Sequence, residues 1–159
     1  MATVGLGGGC HWCTEAVFDA LRGTTVTQGY ARSDPPHDDP SEAALIEYDE
    51  GIIPLEVLIA IHVRTHASGA EHSMRGRYRS AVYVTSQEQR DRSRAALDAE
   101  ARELGPLIVR VLPLRDFDPS PERFRRYYET RGPDAPFCRT HIDPKLALLR
   151  RDYTDRLKR

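Results

Sequence analysis

The chain has 159 residues, 40% hydrophobic and 30% charged, which fits one domain with a core of its own. A net charge of -1 gives no basis for binding nucleic acid or another polyanion, and three cysteines are too few for a disulfide-stapled secreted fold. No apolar run is long enough to span a bilayer. The cysteine-rich motif starts almost at Met1, which leaves no signal peptide in view. A cytoplasmic monomer, with any disulfide transient, is therefore expected.

Residues 2–7 read as a strand through Val4 and Leu6, followed by Gly7-Gly8-Gly9. Residues 11–22 read as a helix carrying Ala16, Val17, Ala20 and Leu21 on one face and ending at Gly23. The β-branched run from Thr24 to Tyr30 reads as a second strand. Residues 33–40 hold three prolines and three aspartates and read as a loop. Residues 42–49 form a third strand, with Leu45 and Glu47 on one face and Ala44, Ile46 and Tyr48 on the other. Pro54 opens a helix on which Leu55, Leu58, Ile59, His62 and His66 share a face.

A loop over 67–77 leads to a strand at Ser80–Thr85. Ser86 and Gln89 have capping-box spacing, and the helix they start runs to about Leu104, before Gly105-Pro106. A strand at Leu107–Leu112, a helix capped at Ser120-Pro121 and running to about Thr130, and a last helix from about Pro144 complete the chain. The leading order predicts an α+β fold, a ferredoxin-like split β-α-β-β-α-β core with additional helices and a C-terminal segment, in a single domain over 1–159.

Cys10 falls at a strand-to-helix junction. Glycines before it let the backbone turn and let another molecule approach. The free amides of a helix's first turn favour negative charge, so a cysteine placed there has a stabilised, reactive thiolate. Cys10 is thus a candidate nucleophile. Cys13 stands one helical turn further on, at C-x-x-C spacing.

The run Gly8-Gly9-Cys10-His11-Trp12-Cys13-Thr14-Glu15-Ala16-Val17-Phe18 resembles the signature of the S-epimer-specific peptide methionine sulfoxide reductases, usually G-G-C-F-W before an amphipathic helix. The resemblance continues at Gly29-Tyr30-Ala31, Glu42-Ala43-Ala44, Tyr78-Arg79-Ser80-Ala81, Phe117 to Tyr128, Phe137-Cys138-Arg139 and Ile142-Asp143-Pro144-Lys145-Leu146. It spans nearly the whole chain in order.

The resemblance implies that Cys10 attacks a sulfoxide sulfur and becomes a sulfenic acid. Cys13 or Cys138 then resolves that acid to a disulfide, which thioredoxin or another dithiol reduces, with no bound cofactor or metal. It implies that Glu42 donates a proton to the sulfoxide oxygen and that Tyr78 hydrogen-bonds the same atom. Read without the resemblance, Glu42 at a strand start is a solvated surface residue. The substrate-binding shell is expected to include His11, Trp12, Tyr30 and Ser73.

The chain also departs from the family pattern. His11 stands where phenylalanine is usual, and the loop from Arg32 to Ser41 is short and lacks the family's other active-site tyrosine. Ser73 takes the place of an aspartate, and Arg125 that of a histidine. These changes open the alternative of a free sulfoxide amino acid, or another small sulfoxide or sulfur oxyacid, as substrate. His11, His37 and Arg32 could then meet a polar or acidic group on it. Three rival readings are a thiol-disulfide oxidoreductase built on Cys10-His11-Trp12-Cys13, a metal module using Cys10, Cys13, His62 and His66, and a family relative without activity.

Overall fold

The computed structural model describes residues 1–8, 11–66, 79–121 and 142–158, with His11 described by its backbone alone. Strand β1 (Ala2–Gly7) is central: antiparallel β3 (Ser41–Tyr48) flanks it on one side and antiparallel β4 (Ala81–Val84) on the other. Beyond β3 lies antiparallel β2 (Thr24–Arg32), and then β6 (Asp116–Pro119), antiparallel to β2. Beyond β4 lies β5 (Arg110–Pro113), parallel to it. The sheet order is β5-β4-β1-β3-β2-β6. Helix α1 (His11–Asp19) joins β1 to β2, and α2 (Leu55–Arg64) joins β3 to β4. The inner four strands and these two helices are the split arrangement expected from the element order.

The two sheet faces differ. Val4, Leu6, Ala44, Ile46 and Val82 point into a large core shared with α1, α2, α3 (Gln87–Leu104) and α4 (Asp143–Asp152). On the other face Ala31, Ala43, Ala81 and Tyr83 form a small cluster with Leu112, Leu114 and Phe117. The alternation expected for the third strand holds: Ala44, Ile46 and Tyr48 are buried, Leu45 partly so, and Glu47 exposed.

Several boundaries differ from the sequence expectation. Helix α1 stops at Asp19 rather than at residue 22. The C-terminal stretch takes the chain over there: Leu21 bridges Leu157, Arg22 N–H donates to the Arg156 carbonyl at 2.8 Å, and Lys158 N–H donates to that of Ala20 at 2.8 Å. The Thr24 hydroxyl lies 2.7 Å from the Phe18 carbonyl, which also accepts from Leu21 N–H at 3.2 Å, and 2.9 Å from the Leu21 carbonyl just past the helix end. Strand pairing begins at Arg110, not Leu107. Strand β6 was not expected at all, because Phe117 is the single strand former in Asp-Phe-Asp-Pro, between two aspartates and before a proline. Charge and proline are what an edge strand tolerates.

The Ser86 hydroxyl does accept from Gln89 N–H, at 3.1 Å. The Gln89 side chain, however, accepts from Thr85 N–H at 2.8 Å instead of returning to Ser86. At the far end of α2, the ammonium of Lys145 on α4 donates to the Thr65 carbonyl, where a cation suits the helix dipole. The helix expected to run from Ser120-Pro121 to about Thr130, apart from those two residues, and the loop over 67–77 lie outside the described residues.

Gly29 marks where β6 closes on β2. A Cβ there would meet the Asp118 carbonyl oxygen at 2.2 Å and Phe117 Cζ at 2.8 Å. Gly29→Ala is therefore expected to cost about 1–3 kcal/mol, or more if β6 is displaced. A urea-unfolding midpoint equal to that of the wild type would show that no such close approach exists.

Candidate active site

The antiparallel register brings four element ends to one edge of the sheet. Gly7 pairs with Ala43 of β3 and with Ala81 of β4. One step further along, Gly8 stands level with Glu42 on one side and Ser80 on the other, and Glu42 pairs in turn with Tyr30 of β2. Alternation puts Glu42 and Tyr30 on the face of Ala44 and Leu6, which is the helix-covered face. Ser80, Gly8, Glu42 and Tyr30 thus form a transverse row, and the chain passes from Gly8 to the start of α1 in two residues.

Glu42 is only 2% exposed, so it is not the solvated residue that a strand-start glutamate would ordinarily be. A carboxyl held in such a place is a good candidate to carry a proton to a bound oxygen. Tyr30, beside it, is partly buried. Trp12 is partly buried in the first turn of α1. Cys13 is 8% exposed and belongs to the main apolar core with Val17 and Phe18. Cys10, Ser73, Tyr78, Arg125 and Cys138 lie outside the described residues, as does the side chain of His11.

Gly8 has φ +146, in the region that favours glycine. A Cβ there would come within 2.5 Å of the His66 ring. His66 lies just past the C-terminus of α2, beyond the helical face on which it was expected. Its Nδ1–H donates to the His62 carbonyl, and its Nε2 is 2.8 Å from the Ser80 hydroxyl. The buried His62 ring stacks on it at 4.2 Å and donates Nε2–H to the Gly7 carbonyl at 2.7 Å. These bonds occupy both ring nitrogens of His66 and one of His62, which disfavours the metal module. Among the described residues no group of three or more His, Cys, Asp or Glu side chains could hold a metal ion.

Two buried polar contacts near the row went unseen in the sequence. Gln28 of β2 donates Nε2–H to Glu15 Oε1 of α1 at 3.0 Å, and both side chains are buried. Its sequence signal is a glutamate among the apolar positions of a short helix. The second contact is Arg79. Its backbone N–H donates to the Ser41 hydroxyl at 2.7 Å, and its guanidinium donates to the Tyr83 hydroxyl at 3.0 Å and the Asp39 carbonyl at 2.9 Å. Burial pushes the Tyr83 phenol above its ordinary value, with Arg79 pulling the other way.

Arg79 thereby ties the short loop over 33–40 to the start of β4. Within that loop His37 is held below the ordinary imidazole range, first by desolvation and then by the charges of Arg79 and Arg110. Near neutral pH it is therefore a weak cation for an acidic substrate group, while Arg32 lies 3.6 Å from Asp118.

Replacing Gln28 with Leu removes a donor from a buried carboxylate. Gln28→Leu is expected to lower unfolding free energy by about 1–3 kcal/mol. A thermal midpoint unchanged from the wild type would show that Glu15 does not need that bond.

A family model described as peptide methionine sulfoxide reductase matches residues 2–157. Peptide methionine sulfoxide reductase MsrA of Halobacterium salinarum is 33% identical, with 95% of this chain and 95% of that protein covered. The protein of the same name from Thermus thermophilus is 34% identical, with 96% of each covered. Among solved structures, methionine sulfoxide reductase A of Corynebacterium diphtheriae superposes with a TM-score of 0.68 over 81% of this chain and 74% of that one, at 20% identity. Reduced Mxr1 from Saccharomyces cerevisiae gives 0.69 over 87% and 90%, at 19% identity. Mxr1 in complex with Trx2 gives 0.60 over 76% and 81%, at 19% identity. These superpositions show the same fold, and the sequence matches show that this chain belongs to the peptide methionine sulfoxide reductase family.

Proposed function

We propose that this chain, as one domain over 1–159, is a thiol-dependent reductase of methionine S-sulfoxide, peptide-bound or free. The observation that carries the reading is a buried Glu42 in the row with Gly8, two residues before the motif cysteine. In the proposed reaction the Cys10 thiolate attacks the sulfoxide sulfur while Glu42 gives a proton to its oxygen. Attack joins the two sulfurs and leaves the protonated oxygen as a hydroxyl on the substrate sulfur. That hydroxyl then passes to the Cys10 sulfur as the S–O and S–S bonds to the substrate break, so methionine leaves as the sulfide with the electron pair and Cys10 becomes a sulfenic acid. Tyr78 hydrogen-bonds the oxygen, and Trp12, Tyr30, His11 and Ser73 line the substrate.

A second thiol then attacks the sulfenic sulfur and releases water, forming a disulfide. Cys13 and Cys138 are both candidates for that thiol. Cys13 must leave its core packing for the disulfide to meet an outside reductant, which favours Cys138 for the last exchange. A dithiol closes the cycle by exchange. The likeness to Mxr1, whose structure with Trx2 exists, supports a thioredoxin-type partner. The proposal includes no bound cofactor or metal, and a cytoplasmic monomer. No helix among the described residues is long and apolar enough to cross a membrane.

The short, tied loop over 33–40 favours a second reading of the substrate as a small sulfoxide rather than a peptide. Initial rates on the separate S- and R-epimers, free and peptide-bound, with dithiothreitol, decide both points. Turnover of the S-epimer alone is expected, abolished in Cys10→Ser. Equal rates on both epimers, or an active Cys10→Ser, would sink the proposal.

Glu42→Gln is expected to lower kcat on the order of 10²- to 10⁴-fold, as removal of a general acid does, with KM little changed. For Cys138→Ser, a single turnover should remain while steady-state turnover with thioredoxin is lost. Stopped-time assays of methionine released per enzyme would show otherwise if more than one equivalent appears.

A further inference from the structure

We infer that His66 and Ser80 form a positioning pair that sets the backbone leading into the nucleophile. The inference rests on Cys10 as the reactive thiol. His66 lies beyond the last residue of α2, at the turn closed by Thr65. Its Nδ1–H bond to the carbonyl four residues back fixes the rotation of the ring. In the neutral imidazole this leaves Nε2 to accept from the Ser80 hydroxyl, 2.8 Å away at the start of β4. The ring is then held at both ends, by a helix terminus and by a strand.

What it covers is the backbone of β1. The position a Cβ would take on Gly8 is 2.5 Å from His66 Cδ2 and 2.6 Å from Nε2, so the imidazole rests directly on that glycine. His62, stacked on its other side at 4.2 Å, holds the Gly7 carbonyl at 2.7 Å. The Gly7 and Gly8 peptides are thus held by a stacked pair of imidazoles, one on the Gly7 carbonyl and one against Gly8, together with the β3 and β4 ladders, one residue short of the Gly9-Cys10 junction.

A thiolate at that junction gains from the α1 amides only if the incoming backbone has one orientation, since such stabilisation fades within the first turn. His66 touches neither substrate nor reacting atom in this account. It acts through Gly8. Glycine alone leaves that backbone unconstrained, and an imidazole laid against it supplies the missing restraint without adding a side chain to the crowded edge.

The test uses the full chain with His66→Ala, Ser80→Ala, the double variant and His66→Gln. Two quantities are read in folded protein: the iodoacetamide rate at Cys10, followed by peptide mass, and the kcat and KM for the S-sulfoxide. Both single variants are expected to change the Cys10 alkylation rate and to lower kcat on the order of 10-fold, with KM within about twofold. The double variant should be no worse than the poorer single, because the two residues make one contact. His66→Gln, whose amide can both donate to the His62 carbonyl and meet Ser80, should recover most of the loss.

The inference is overturned if alkylation and kcat in folded His66→Ala match the wild type, or if the two single effects multiply. It also fails if activity falls only as the folded fraction falls. Should His66→Ala not fold, Ser80→Ala decides by the same readouts. A wild-type protein inactive on both epimers would remove the sulfoxide reading, while the alkylation comparison would still stand.

Discussion

Val4 opposite Ile46, and Gly7 opposite Ala43, lock β1 to β3 in a register that cannot slip by one residue without inverting β3. Such a slip would turn Ala44, Ile46 and Tyr48 out of the helix-covered core and carry Glu42 to the face of Tyr83. The cost would be the burial of Ile46 and Tyr48, each worth on the order of 1–3 kcal/mol, with the Ala44 methyl adding a smaller amount. The hydrophobic core therefore does more than hold the protein together. It selects which face Glu42 occupies, and so whether a carboxyl stands in line with Gly8.

The opposite face shows why β1 is rich in glycine before the motif begins. A Cβ on Gly5 would sit 3.0 Å from Tyr83 Cβ, and one on Gly7 would sit 3.0 Å from the Arg79 carbonyl and 3.1 Å from that of Glu42. Tyr83 lies flat across this strand, and its hydroxyl meets Arg79, whose guanidinium reaches on to Asp39. The glycines thus admit a tyrosine-arginine strut that ties the loop over 33–40 to the start of β4. The same residue that fixes the loop also sets, through its backbone bond to Ser41, the spacing between the first residues of β3 and β4.

Most of the fold was legible because its signals are local or periodic. The β1 run, the Pro54 helix start and the Ser86 cap each depend on a few neighbouring residues, and each appears where expected. What escaped depends on partners distant in sequence. Helix α1 ends early where residues 156–158 pair with the Ala20 carbonyl, Leu21 and the Arg22 N–H just past it, and nothing within residues 11–22 announces that. Strand β6 exists because Gly29, Tyr30 and Ala31 offer it a ladder. The burial of Glu42 was read from family likeness and not from pattern, since a strand-start glutamate looks solvated until its neighbours on both sides are known. The His66 contacts with Ser80 and Gly8 were invisible for the same reason, since those partners belong to other elements, 14 residues on and 58 residues back.

These contacts divide the labour within the sheet. The row of Ser80, Gly8, Glu42 and Tyr30 is held by backbone ladders and by the core beneath it, so its geometry is insensitive to what the connecting loops contain. The 33–40 loop, by contrast, is fastened from the other face, at the Asp39 carbonyl and through Ser33, whose hydroxyl donates to the Pro113 carbonyl at 2.6 Å. The Asp39 anchor is a backbone carbonyl that any residue type supplies, whereas the Ser33 hydroxyl and the Asp34 carboxylate, which accepts from Arg115 at 2.8 Å, tie the loop through its own side chains. The place of Glu42 is thus tied to the register of the sheet, and that of the loop to a mixture of backbone and side-chain anchors.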